Sequence, residues 1–179
     1  CIDRVPDMKR NYDQRGQLMG IKQAIAHSHL GGVKSGERIS FFINAYNIEV
    51  LHQLNQLYPI QSIEEQPDFF ELEEFSFVRK TFNLKSLRRY IFYLSQDPRI
   101  HFCLYSGGLG SPNLPVEAFS QQPFEKAIES ITKDFVNDNT KVKVKKRSKL
   151  VLLPEFMKWY QEDFGIDNPQ DYIAWLNTY

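Results

Sequence analysis

Residues 40–58 place Ile43, Tyr46, Val50, Leu54 and Leu57 along one stripe at helical spacing. A helix of about five turns with one long apolar stripe has to be covered by the rest of the chain, so this segment sets the centre of the fold. Ser40 is its predicted N-cap. Asn47 falls inside the stripe and Asn44 on its flank. A buried amide needs hydrogen-bond partners. Asn47 is therefore expected to tie this helix to a loop or a strand end. Both asparagines read as scaffold first and as ligand-binding residues second.

Shorter elements surround it. A first helix is predicted over 17–30, with Leu18, Ile21 and Ile25 on one face and Gly31-Gly32 ending it. His27 and His29 near its end suit the helix dipole. Residues 75–84 read as a hairpin. A third helix starts near Asn83, turns Leu84, Leu87, Ile91 and Leu94 inward, and carries Arg88 on its flank and Arg89 outside. Ser95-Gln96-Asp97-Pro98 breaks it, and a strand is predicted over 99–105. A fourth helix from about Pro123 buries Phe124, Ile128, Ile131 and Phe135. Residues 141–153 read as a hairpin turning at Lys146-Arg147-Ser148, with its basic residues a solvated edge rather than a phosphate surface. Pro154 opens a short helix, and Asn168-Pro169 opens the last one.

The sum is an α+β fold: a small antiparallel sheet with helices packed on it. At 179 residues the chain suits one globular unit, read as an N-terminal segment and helix over 1–36 and the main domain over 37–179. Lys and Arg number 22, as do Asp and Glu, so no global field points to nucleic acid or to a membrane surface. No apolar run approaches the ~20 residues of a spanning helix. Two cysteines make neither a disulfide framework nor a metal site, and no cofactor motif is present. Cysteine usage fits the cytosol. The chain opens on Cys1 rather than methionine and is expected to be part of a longer one.

The candidate chemistry lies in residues 97–112. On the predicted strand His101 and Cys103 share a face, and a glycine-rich loop beyond it carries Ser106 and Ser111. The loop lacks the Lys-Ser/Thr ending of a phosphate loop. Pro112 follows Ser111, so this is not the Gly-x-Ser-x-Gly elbow, and the proline offers no N–H to an oxyanion hole. A regular strand sends His101 and Ser106 to opposite faces. Cys103 reads as a small buried hydrophobe. Glu49 and His52, at i and i+3, read as a surface pair, and Glu162-Asp163 as a solvated helix end.

Four motifs stand in one order: Phe41-Phe42-Ile43-Asn44-Ala45-Tyr46-Asn47 followed by His52; Asp97-Pro98-Arg99-Ile100-His101-Phe102; Phe135-x-Asn137-Asp138; and Phe156-Met157-Lys158-Trp159-Tyr160-Gln161-Glu162-Asp163-Phe164-Gly165. Together they resemble the domain of unknown function 547 family, over about 37–165. The resemblance implies a layout like that of papain-like and transglutaminase-like cysteine enzymes, with a histidine opening a strand. The family pattern has cysteines where this chain has Ser106 and Ser111, and Glu-His where it has Arg88-Arg89. An acid and a proton acceptor have become two permanent cations.

A serine hydroxyl needs a placed base and an oxyanion hole, whereas a thiolate can be activated by a histidine alone. The expected function is therefore a non-catalytic module that binds a protein or peptide in a remnant groove bounded by His101, the Ser106–Ser111 loop and the second helix. Asn44, Asn47, His52, Cys103 and Arg88 are its candidate ligand-binding residues. The alternative is a hydrolase or acyltransferase using Ser111 or Ser106 with His101. No nucleic-acid partner, membrane contact, metal or cofactor is expected.

Overall fold

A computed structural model describes residues 15–60, 62–108, 110–119 and 123–179; the N-terminal residues, with Cys1, lie outside the described ones. Helix α1 (Arg15–Ala26) leads to the long helix α2 (Ser35–Gln56). Helix α2 starts at Ser35, not at Ser40, which is buried within the helix body. Lys34 precedes it without a side-chain cap, and Glu37 in the first turn suits the positive end of the dipole. The stripe is buried as predicted: Ile43, Tyr46, Val50 and Leu54 are fully enclosed.

Strands β1 (Phe75–Phe77) and β2 (Lys80–Phe82) pair antiparallel, Phe75 opposite Phe82. Val78 and Arg79, both at positive φ, make the two-residue turn that matches strand twist. Helix α3 (Leu84–Ser95) begins in a reciprocal cap. The Asn83 side chain accepts the Ser86 N–H at 2.8 Å, and Ser86 Oγ accepts the Asn83 N–H at 2.9 Å. Leu84, Leu87 and Ile91 are buried, and so is Arg88, which the spacing placed on the flank. Helix α4 (Phe124–Asn137), the hairpin of β3 (Lys143–Lys145) and β4 (Leu150–Leu152), and the short helices α5 (Glu155–Trp159) and α6 (Pro169–Leu176) complete the chain. Among the described residues no helix is long and apolar enough to cross a membrane.

The mixed helix-and-strand class is observed, with two separate two-stranded ribbons in place of the one small sheet expected. The predicted strand over 99–105 is a 3-10 turn spanning Pro98–Cys103. Asp97 Oδ1 accepts the Arg99 N–H at 2.9 Å, and Pro98 stands at the first helical position with its φ already set. The pair that ends α3 thus starts a new helical turn. Arg99 then clamps this turn to α4, bonding Asp97 through two nitrogens and reaching Glu125 at 2.9 Å and Glu129 at 3.0 Å.

Residues three apart in a 3-10 turn lie above one another. Ile100 and Cys103 accordingly enter the larger core with α2, α3 and the first hairpin. Phe102 enters a second core of Phe135, Val142, Phe156, Met157, Phe164 and Ile166. Its ring stacks on Trp175 at 5.6 Å and meets Phe135 at 5.0 Å. Truncating such a fully buried ring to Ala costs about 3–5 kcal/mol.

Candidate functional site

The turn at 98–103 leaves His101 between the two cores. It is 1% exposed. Its ring stacks on Tyr160 at 4.2 Å and 12°, faces Phe92 at 5.9 Å, and is flanked by Phe164 at 5.7 Å. Nε2 lies 2.7 Å from Asp163 Oδ2, so the ring proton sits on Nε2. Nδ1 is buried without a hydrogen-bond partner. Burial pushes the His101 pKa below its ordinary value; Asp163 opposes this, and the charge of Arg88 adds to it. Asp163 is thus a partner of a buried histidine, not the solvated helix end its sequence context suggested.

Tyr160 also meets Arg88. The Arg88 guanidinium lies 4.9 Å from the Tyr160 ring and 5.2 Å from the Tyr46 ring. One terminal nitrogen donates to the Tyr46 hydroxyl at 3.0 Å and to the Leu104 carbonyl at 3.2 Å. Arg88, Tyr160, His101 and Phe92 thus make a chain of successive ring contacts. Arginine stays charged in any protein environment. Among the described residues no carboxylate pairs with it. A cavity of about 320 Å³ opens beside it, walled by Arg88, Arg89, Lys85, Phe70, Trp159 and Tyr160. Trp159 is 57% exposed, and Lys85 is paired with Glu71 at 2.7 Å.

The serines are placed elsewhere. Ser111 Oγ accepts the Ser106 N–H at 2.8 Å and donates its own proton to the Pro112 carbonyl at 3.0 Å. Ser111 is buried, and its only hydrogen is committed within the loop. No hydrogen bond joins either serine to His101 among the described residues. Gly107 sits at φ +87° against Ile63 and Leu54, which packs the loop onto α2. Cys103 is buried; burial, helped by Asp97, pushes its thiol pKa well above the ordinary range.

The asparagines tie the scaffold together. Asn47 Nδ2 donates to the Cys103 carbonyl at 2.9 Å, and its Oδ1 accepts the Tyr105 N–H at 2.9 Å. Asn44 Oδ1 accepts the Phe119 N–H at 3.2 Å. Glu49 and His52 are not a surface pair: Glu49 is wholly enclosed and His52 is 8% exposed. Lys22 of α1 reaches both Glu49 oxygens, at 3.2 and 3.0 Å. The spacing of α2 pointed to both residues, but their burial depends on α1 lying over them. Tyr46, Tyr160 and Asp163 escaped sequence reasoning. The signal that could have found the last two is the fourth motif, 156–165, in which both stand.

No curated protein and no solved structure matches the chain. A family model described as protein of unknown function, DUF547, matches residues 30–136, more than half of the chain. The match takes in the motifs around Asn47 and His101 and stops before the one at 156–165, short of the span over which the resemblance was drawn. This chain belongs to the DUF547 family.

Proposed function

We propose that this domain is a binding module without turnover, and that it takes an acidic peptide segment in the cavity beside Arg88. The observation that carries the reading is a buried arginine, held by two phenol rings and a carbonyl and paired with no carboxylate among the described residues, at the wall of an open cavity. A buried cation without a counter-charge is costly, and an incoming carboxylate supplies one. Arg89 and Lys85 at the rim add a positive field against the single Glu71. Trp159 and Phe70 offer an apolar and aromatic wall for a neighbouring side chain.

The committed hydroxyl of Ser111, the buried Nδ1 of His101 and the protonated thiol of Cys103 support the absence of turnover. The reading does not depend on a papain-like layout. Titration of Trp159 fluorescence with tetrapeptides carrying Asp or Glu beside Leu or Phe tests it. A saturable change is expected, weakened about tenfold by Arg89→Glu, a charge reversal at an exposed position. Binding indifferent to that reversal, or peptide hydrolysis that disappears in His101→Gln, overturns it.

A further inference from the structure

A second cluster lies apart from the Arg88 cavity. Glu49 and His52, one turn apart on α2, meet Glu73 from the segment before β1, and one ligand atom from each lies within 4.8 Å of the others. Glu49 and His52 are buried and Glu73 is half-buried. Glu73 Oε2 is buried without a hydrogen-bond partner. So is Gln53 Oε1, on a side chain 2% exposed whose Nε2 donates to Glu49 Oε1 at 3.1 Å.

The charges here do not balance. Lys22 is one cation against two carboxylates. One net negative charge and two orphaned acceptor oxygens remain in a water-poor place. Orphaned acceptors call for a cation, not for another acceptor.

We propose that Glu49, His52 and Glu73 bind a divalent transition-metal ion of the zinc or cobalt class. One imidazole and two carboxylates suit such ions. Bond lengths of about 2.0–2.2 Å place tetrahedral ligands ~3.4 Å apart. The ligand atoms, now within 4.8 Å of one another, would draw together on metal binding, with the half-buried Glu73 the least enclosed of the three. The Gln56 amide nitrogen lies 2.7 Å from His52 Nε2, and the amide can turn to face the ring with its oxygen instead. With its oxygen turned that way it accepts the ring proton and leaves the other nitrogen as the lone-pair donor. Lys22 neutralises Glu49 until the metal enters, and is then released. The ion thereby fastens α2 to the segment leading into the first hairpin.

The test is titration of the whole domain with cobalt(II), read by visible absorption and by the thermal unfolding midpoint. Binding of one equivalent is expected, with intense tetrahedral bands and a midpoint raised by about 3 °C or more in excess metal. Glu73→Gln, a near-isosteric change at a half-buried position, is expected to weaken binding at least tenfold. Lys22→Met is expected to bind as tightly as the parent or more so. No binding at millimolar cobalt, or binding untouched by Glu73→Gln and lost instead on replacing the exposed His27 and His29, overturns the proposal.

Discussion

Removing the Asn47 amide isolates what this residue does. Its carboxamide makes two buried bonds across the chain, one given to the Cys103 carbonyl and one taken from the Tyr105 N–H. Asn47→Ala leaves both backbone groups without a partner. Cys103 and Tyr105 are 1% and 6% exposed, so water does not readily replace the lost bonds. Each orphaned group costs about 1–3 kcal/mol, and the expected loss is roughly 2–5 kcal/mol. For a domain of this size that lowers the thermal midpoint by about 5–15 °C. Asn44→Ala is the internal comparison. It frees only the Phe119 N–H, bonded at 3.2 Å, and is expected to cost about 1 kcal/mol. Urea unfolding of both variants, followed by far-UV circular dichroism, measures the difference. Equal losses in the two, or a shift below about 2 °C for Asn47→Ala, refute the view that Asn47 pins the turn of His101 to α2.

Acid exposes a second dependence. The folded His101 pKa lies below its unfolded value near 6.5, so the unfolded chain takes up the proton first as the pH falls. The histidine's contribution is complete above about pH 6.5 and is lost as the pH drops towards the folded pKa, at up to ~1.4 kcal/mol per pH unit. Urea midpoints at a series of pH values are expected to fall over that window and to fall less in His101→Gln; identical profiles refute it. At Gly107, a Cβ would meet Ile63 Cδ1 at 3.0 Å and Leu54 Cδ1 at 3.2 Å, on a backbone at φ +87°. Gly107→Ala is expected to cost about 2–4 kcal/mol. Gly165→Ala, at φ +64° with open space around it, is expected to cost about 1 kcal/mol. Thermal scans that rank the two glycines the other way contradict this.

The helices were legible because their signals are local. The stripe of α2, the Asn83 and Asn168 caps and the proline-led start of α4 need only a few neighbouring residues. The partnerships of Asn47 were legible in kind, since an amide in an apolar stripe must bond something. The turn at 98–103 was misread because Ile-His-Phe-Cys-Leu-Tyr is apolar enough for a buried strand, and apolarity alone does not separate a strand from a short helical turn. The Asp97-Pro98 pair carried the deciding information. The chain of ring contacts from Arg88 through Tyr160 to His101 was beyond reach for a different reason. Its members come from three separate segments, and no spacing rule links Tyr160 to a ring 59 positions earlier in the chain.

Phe102 anchors the second core, which is built largely from residues beyond the family match. A fragment ending at residue 136 would keep every matched position and yet strip Phe102 of Phe156, Phe164 and Trp175. It would also take away Tyr160 and Asp163, baring both His101 and Arg88 to water. The matched region is thus smaller than the region over which the two cores are built. Expression boundaries drawn from the match alone would deliver a protein whose most buried histidine had lost its roof.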